Sequence, residues 1–192
     1  MGDQSRCGWV GVDAQMIHYH DYVWGRPERD GRALFEKLCL DGQQAGLSWS
    51  TILKRVPDYR RLFAGFDPEK LSRFTEQDVE RLMQDSSIIR NRAKINAIIG
   101  NARAYLRMQQ QGIDFSEYIW SFVQGKQLVN PWQSIEQIPA STAESRAMAR
   151  ELKKRGFSFV GETICYAFMQ AVGIVNDHLV SCDCHAKCIE KE

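Results

Sequence analysis

Residues 79–106 read VERLMQDSSIIRNRAKINAIIGNARAYL, and this stretch decides the fold. Val79, Leu82 and Met83 are spaced three and four apart, and Thr75-x-x-Asp78 before them has the spacing of a capping box, so a short helix opens there. Asp85-Ser86-Ser87-Ile88-Ile89-Arg90 reads as a tight hairpin. Beyond it Ile95, Ile98, Ile99, Ala102 and Leu106 recur at i, i+3, i+4, i+7 and i+11, the apolar stripe of a long buried helix. Helix, hairpin and helix in this order make an element whose backbone can hold a phosphate. The N–H groups at the hairpin and at the start of the second helix lack intrahelical partners, and the helix dipole is positive at that end. Arg90, Arg92 and Lys94 add charge at the same place. Such an element grips a nucleic-acid backbone without reading sequence. The same pattern also suits a plain helical hairpin packed on a core.

The rest of the chain extends the helical pattern in both directions. Asp30 caps a helix carrying Leu34, Phe35, Leu38 and Cys39 that ends near Gly46. Ser48 caps the next, with Ile52, Leu53 and Val56 before Pro57 stops it. Asp67-Pro68 is an N-cap followed by proline at the first helical position. Ser141-x-x-Glu144 reads as a second capping box on a helix that Gly156 closes. A last core helix runs from about Gly161 to Gly173 with Ile164, Phe168, Met169 and Val172. The stretch from Gln124 to Ala140, with Pro131 and Pro139, reads as a loop, and no alternating segment is long enough for a sheet. The expectation is an all-α chain whose residues 1–192 form one domain.

Composition narrows the function classes. Of the 192 residues 44% are hydrophobic and 26% charged, an ordinary globular balance that excludes general disorder. The longest apolar stretch, Thr163 to Val175, is broken by Gln170 and Gly173 and is too short to span a bilayer, so no membrane partner is expected. Residues Met1 to Cys7 lack the apolar core of a signal peptide, and the six cysteines do not form a disulfide pattern, with Cys39 and Cys165 inside helical stripes. These readings point to a cytoplasmic monomer with reduced thiols. A net charge of +1 gives no hint of nucleic acid, but it is a sum of opposites. Residues 86–113 carry five basic and no acidic residues, residues 146–155 carry five basic residues against Glu151, and the first fifty carry seven acids and five bases. The strips suit either a solvated face or a phosphate track.

Cysteine and histidine collect at the two ends of the chain: Cys7 and His20 at the start, His178, Cys182, Cys184, His185 and Cys188 at the end. His178-x-x-x-Cys182 places two ligands about one turn apart, and Cys7 with His20 would complete a Cys2His2 set suited to structural zinc. Such a site would tie together two terminal segments with few apolar anchors. The tail Cys182-x-Cys184-His185-x-x-Cys188 binding metal alone, or free thiols, are the alternatives. No H-E-x-x-H or H-x-E…P-C-x-x-C pattern marks a catalytic zinc. Three of the five tryptophans, Trp9, Trp24 and Trp49, lie in the first fifty residues with Tyr19 and Tyr22. They are either core filling or a stacking box for a planar, positively charged ligand. Asp41 could accept from an exocyclic amine, and Gln43-Gln44-Ala45-Gly46-Leu47-Ser48 forms a turn whose leucine could wedge into a base stack.

Taken together these motifs resemble the type I 3-methyladenine DNA glycosylases, helix-hairpin-helix enzymes of base-excision repair. The resemblance runs from about Arg6 to Cys182. It rests on Arg6-Cys7-Gly8-Trp9, Tyr19-His20-Asp21 with Trp24-Gly25, Gly42 to Trp49, Ile88 to Arg92, Lys154 to Gly161, Thr163 to Tyr166 and Asn176-Asp177-His178. It implies a helix-hairpin-helix glycosylase fold, with the element at about residues 79–106 and the terminal segments joined by structural zinc at Cys7, His20, His178 and Cys182. It implies a base pocket of Trp9, Tyr19, Trp49 and nearby Trp24, entry of Gly46-Leu47 into the DNA, and alkylated double-stranded DNA as partner. The chain departs from the family at Asp41, where glutamate is usual, at Met16, where tyrosine is common, and at Ser87, where such a hairpin usually has glycine. The implied reaction is hydrolysis of the N-glycosidic bond of 3-methyladenine after base flipping. Methylation at N3 makes the base cationic and a good leaving group, so no triad is needed and aromatic rings with Asp41 select the cation. Without a lysine at the superfamily's catalytic position, no Schiff base and no strand cleavage are expected. A non-catalytic, zinc-containing binder of alkylated DNA is the alternative. A metallohydrolase would need an open coordination position that four protein ligands deny.

Overall fold

The computed structural model describes residues 5–190, and its described residues are mostly helical. In chain order the elements are α1 (Ala14–Tyr22), α2 (Gly31–Gln43), α3 (Trp49–Leu53), α4 (Val56–Leu62), a 3-10 turn (Ala64–Phe66), α5 (Pro68–Ser72), α6 (Glu76–Gln84), α7 (Arg92–Gln110) and α8 (Phe115–Ser121). There follow β1 (Leu128–Val129), a second 3-10 turn (Ile135–Gln137), α9 (Ala143–Lys154), α10 (Glu162–Ala171), β2 (Val175–Asn176) and α11 (Cys184–Lys187). Among the described residues no helix is long and apolar enough to cross a membrane.

The core is built around α2. Leu34, Phe35, Leu38 and Cys39 are almost fully buried on it, and it packs against both α7 and α10. Because α2 is buried along most of its length, its last turn carries Asp41 and Gln43 into the interior as well. The stripe Ile95, Ile98, Ile99 and Ala102 is buried on α7, which packs on α2, α5, α6 and α8.

Most end signals stand where the local pattern puts them. Asp30 accepts from Ala33 N–H, Ser48 from Thr51 N–H and Asp67 from Glu69 and Lys70 N–H. The Thr75–Asp78 capping box is formed. Three readings need correction. Pro57 does not end a helix but stands in the first turn of α4, where its missing N–H has no intrahelical role. The cap of α9 is Thr142 with Ser145, one residue beyond Ser141 and Glu144. The Gln124–Ala140 loop contains β1, which pairs in parallel with β2, Leu128 opposite Val175.

The hairpin between α6 and α7 is wired to the end of α2. Ile89 N–H donates to the Tyr59 hydroxyl, which donates to Gln43 Oε1, and Gln43 Nε2 donates to Lys94 O. Ser87 N–H and Oγ both donate to Asp85 Oδ1, at 2.9 and 2.6 Å. Ser87 has no positive φ, so this turn does not require glycine.

Candidate functional site

The C-terminal turn of α2, the face of α1, the start of α3 and one face of α10 enclose a cavity of about 350 Å³. Tyr19 from α1 and Trp49 from α3 approach with ring centroids 5.3 Å apart. Trp9 meets Trp24 edge-on at 5.0 Å, and both line the cavity with Asp41 and Met16. The structure therefore brings Trp9, Tyr19, Trp24, Asp41 and Trp49 together around one space.

Two buried polar atoms at this cavity have no protein partner, Asp41 Oδ2 and Trp49 Nε1. Native interiors leave few such groups unpaired, and here one is an acceptor and the other a donor. The second oxygen, Asp41 Oδ1, is ion-paired with Lys37 Nζ one helical turn earlier. The Lys37 ammonium lies 3.9 Å from the Trp49 ring centroid, within cation–π range. Burial pushes Asp41 up from the usual carboxylate range against the pull of Lys37, and burial pushes Lys37 down against the pull of Asp41. Burial also holds Tyr19 well above its ordinary value.

The wall opposite α2 was not legible in the sequence. Thr163, Tyr166 and Gln170 line it from α10, and Tyr166 and Gln170 are fixed from behind by Asp177. This fully buried carboxylate accepts from Tyr166 OH at 2.5 Å and Gln170 Nε2 at 2.8 Å on one oxygen. On the other it accepts from Asn130 Nδ2 at 2.7 Å and Trp132 Nε1 at 2.8 Å. Lys37 was also missed, although its i, i+4 spacing to Asp41 was available as a signal.

Behind the cavity, ligand atoms of Cys7, His20, His178 and Cys182 lie within 4.8 Å of one another, all four residues buried. Cys7 Sγ is 3.7 Å from His178 Nδ1. Cys182 Sγ is 3.5 Å from His20 Nε2 and 3.6 Å from His178 Nδ1. His20 Nδ1 meets Asp21 Oδ1 at 2.7 Å, and Arg6 in turn holds Asp21. Leu179 and Cys184 N–H groups donate to Cys7 and Cys182 sulfur, each at 3.4 Å. Cys182 is pushed far down by its hydrogen bond with Cys7, helped by His178 and His20. The same bond pushes Cys7 up. Trp24 lies edge-on to His178 at 4.6 Å, so the cluster and the cavity share a wall.

The residues expected to face DNA separate on inspection. Gly46, at φ +76, and Leu47, 39% exposed, project from the turn after α2. Arg90 is exposed, and it makes no ion pair among the described residues. Arg92 is exposed but engaged by Glu76 and Glu80. Lys94 corrects the expectation of a phosphate contact: it is buried, and Nζ donates to Gln43 O at 2.8 Å and Ala45 O at 2.7 Å. It caps the carbonyl end of α2 and braces the turn bearing Leu47.

Comparison with known proteins agrees along almost the whole chain. A methyladenine glycosylase family profile matches residues 9–186. Over 181 residues the chain is 57% identical to DNA-3-methyladenine glycosylase 1 of Escherichia coli strain K12, covering 94% of this chain and 97% of that protein. A crystal structure of 3-methyladenine DNA glycosylase I superposes with a TM-score of 0.94 at 55% identity, covering 94% of this chain and 100% of that one. A variant of 3-methyladenine DNA glycosylase I in complex with 3-methyladenine superposes with a TM-score of 0.90 at 36% identity, covering 93% of this chain and 96% of that one.

Proposed function

The chain belongs to the methyladenine glycosylase family, and we infer that it excises 3-methyladenine from alkylated DNA by hydrolysing the N-glycosyl bond. The observation that carries the site assignment is the pair of unpartnered buried atoms, Asp41 Oδ2 and Trp49 Nε1, in an aromatic cavity. A flipped methylated adenine supplies what each lacks. Its exocyclic amine donates to Asp41 Oδ2, a ring nitrogen accepts from Trp49 Nε1 at the indole edge, and a face stacks on Tyr19. Excess unstacking energy is avoided because a methylated base is already weakly paired. Leu47, projecting on the Gly46 turn, fills the gap left in the duplex, and Arg90 with the N-terminus of α7 holds a backbone phosphate.

Chemistry at the site is correspondingly sparse. The cationic purine is a good leaving group, so the chain's task is to bind, orient and exclude water rather than to supply a strong acid. The reaction is monofunctional: Lys94 is spent on carbonyls and Lys37 on Asp41, so neither is a free amine for a Schiff base.

The donor set and separations of Cys7, His20, His178 and Cys182 suit zinc. Tetrahedral bonds of about 2.3 Å to sulfur and 2.0–2.1 Å to nitrogen give edges of roughly 3.6 Å, against 3.5–3.7 Å between the atoms measured. Asp21 behind His20 orients the ring as a second-layer carboxylate does. Four protein ligands make the zinc structural, joining the two terminal segments and supporting the Trp9–Trp24 wall. The protein acts as a cytoplasmic monomer on double-stranded DNA.

The test is chromatography of bases released from methylated duplex DNA by the native protein and by Asp41→Asn. The native protein releases 3-methyladenine, and the variant releases it on the order of a hundredfold more slowly, the scale expected of a lost positioning contact. Stoichiometric binding of the DNA with no free base would assign the chain to the non-catalytic binders instead.

A further inference from the structure

Lys37 and Asp41 are the two charged residues that line the cavity. The lysine side chain is 15% exposed and the aspartate 2%, so solvent screens the pair weakly. The ammonium sits 3.9 Å from the Trp49 ring centroid and 5.9 Å from that of Tyr19. It thus already occupies the cation position on the aromatic faces, and it cancels the charge of the carboxylate that would attract a cationic base. What remains without a protein partner is Asp41 Oδ2, an acceptor, and Trp49 Nε1, a donor, both on residues that line the cavity.

Building on the glycosylase reading, we propose that Lys37 separates the two roles of the pocket carboxylate: Asp41 keeps its acceptor for the exocyclic amine, while Lys37 removes its electrostatic hold on the positive charge of the base. The consequence lies in how charge moves. In the N3-methylated nucleotide the purine carries the positive charge. When the C1′–N9 bond breaks, its electron pair passes to the purine, which leaves neutral. The sugar, outside the cavity, becomes an oxocarbenium that takes the oxygen of a water molecule, and the proton of that water passes to solvent. A fixed cation beside the purine repels it in the ground state and progressively less as the bond breaks. An interaction that improves between ground and transition state raises the rate, whereas an unopposed carboxylate would tighten ground-state binding. Lys37 is therefore a specificity- and rate-determining residue, trading affinity for the cationic base against turnover.

The experiment compares the native protein with Lys37→Met and Lys37→Gln, the second keeping a donor toward Asp41 should the first fold poorly. Binding of neutral 3-methyladenine and of the permanently cationic 3,9-dimethyladeninium is followed by tryptophan fluorescence, and kcat and KM are measured on methylated duplex DNA. Both variants are expected to favour the cation over the neutral purine on the order of a hundredfold or more above the native protein, the scale for two charges about 4–5 Å apart near a surface. Both are expected to lower KM and kcat together. The double variant Lys37→Met/Asp41→Asn, with the native net charge in the cavity, is expected to keep the native cation-to-neutral ratio. An unchanged ratio in the single variants, a raised KM with lowered kcat, or a shifted ratio in the double variant overturns the proposal while leaving the glycosylase reading intact. Failure of the native protein to bind either purine or to release 3-methyladenine overturns both.

Discussion

Replacing Asp177 tests how the cavity wall is held. The carboxylate accepts four hydrogen bonds and faces no cation, with Tyr166 OH and Gln170 Nε2 on one oxygen and Asn130 Nδ2 and Trp132 Nε1 on the other. Asp177→Ala leaves all four donors without their acceptor. Asn130 and Trp132 are partly exposed and can turn to water, but Tyr166 is buried and Gln170 half-buried. Losses of about 1–3 kcal/mol for each buried donor left unpaired, with lesser losses at the other two, sum to about 4 kcal/mol. Asp177→Asn is far milder. Its oxygen can face Asn130 and Trp132, whose indole N–H can only donate. Its NH2 can face Tyr166, whose hydroxyl rotates to accept, and Gln170, whose amide reverses. Loss of charge assistance then costs about 1–2 kcal/mol. Urea denaturation of the three proteins measures both values, and base release at a temperature where all are folded measures the wall. Asp177→Ala is expected to slow excision at least about tenfold, because Tyr166 and Gln170 line the cavity and misplacing such groups is costly. Equal destabilisation by Ala and Asn, or a loss below about 1 kcal/mol for Ala, would refute the assignment of the network.

Metal analysis of the purified protein is expected to find one zinc per chain, and Cys182→Ser to remove it with a stability loss of at least about 3 kcal/mol; unchanged metal content and melting temperature would reject the site. Gly25→Ala places a Cβ 2.8 Å from His178 Nε2 at φ +79, and that ring is held by Cys7 and Cys182 on its far nitrogen. A loss of about 2–4 kcal/mol with weakened metal retention is expected, against about 1–2 kcal/mol for Gly46→Ala, which has φ +76 but nothing within 4 Å. Asp78 is held below its ordinary value by the Thr75 backbone N–H. Its contribution is therefore complete above the unfolded value of about 3.9 and is lost as the pH falls through the lower folded value. Asp78→Asn is expected to melt earlier than the native protein near neutral pH, with the gap closing as the pH falls below about 4; a gap independent of pH would contradict this.

The elements that were legible are those whose cause is local. A cap is a hydrogen bond over two or three residues, so Asp30, Ser48, Asp67 and Thr75 could be placed from their neighbours alone. The cap of α9 slipped by one because Ser141 and Thr142 both begin plausible capping patterns, and only the backbone angle selects between them. Cys7 and His178 are 171 residues apart, and spacing alone could not pair them; family resemblance did. Basic residues were the hardest to sort. Arg90, Arg92 and Lys94 form one strip in the sequence, yet one is exposed, one is bound to two glutamates and one is buried on carbonyls.

By itself, then, the sequence determined most of the core helices, four of their caps, the hairpin and the chemical character of both terminal segments, because periodicity and capping act within a few residues. Tertiary structure alone decided that α10 and Asp177 build a wall of the cavity, that Lys94 is a brace, and that the Lys37–Asp41 pair lies against the Trp49 ring inside it. The physical reason is that the environment of a charge is set by whatever packs around it from distant parts of the chain. A lysine reads the same in sequence whether it meets water, a carbonyl or a buried carboxylate.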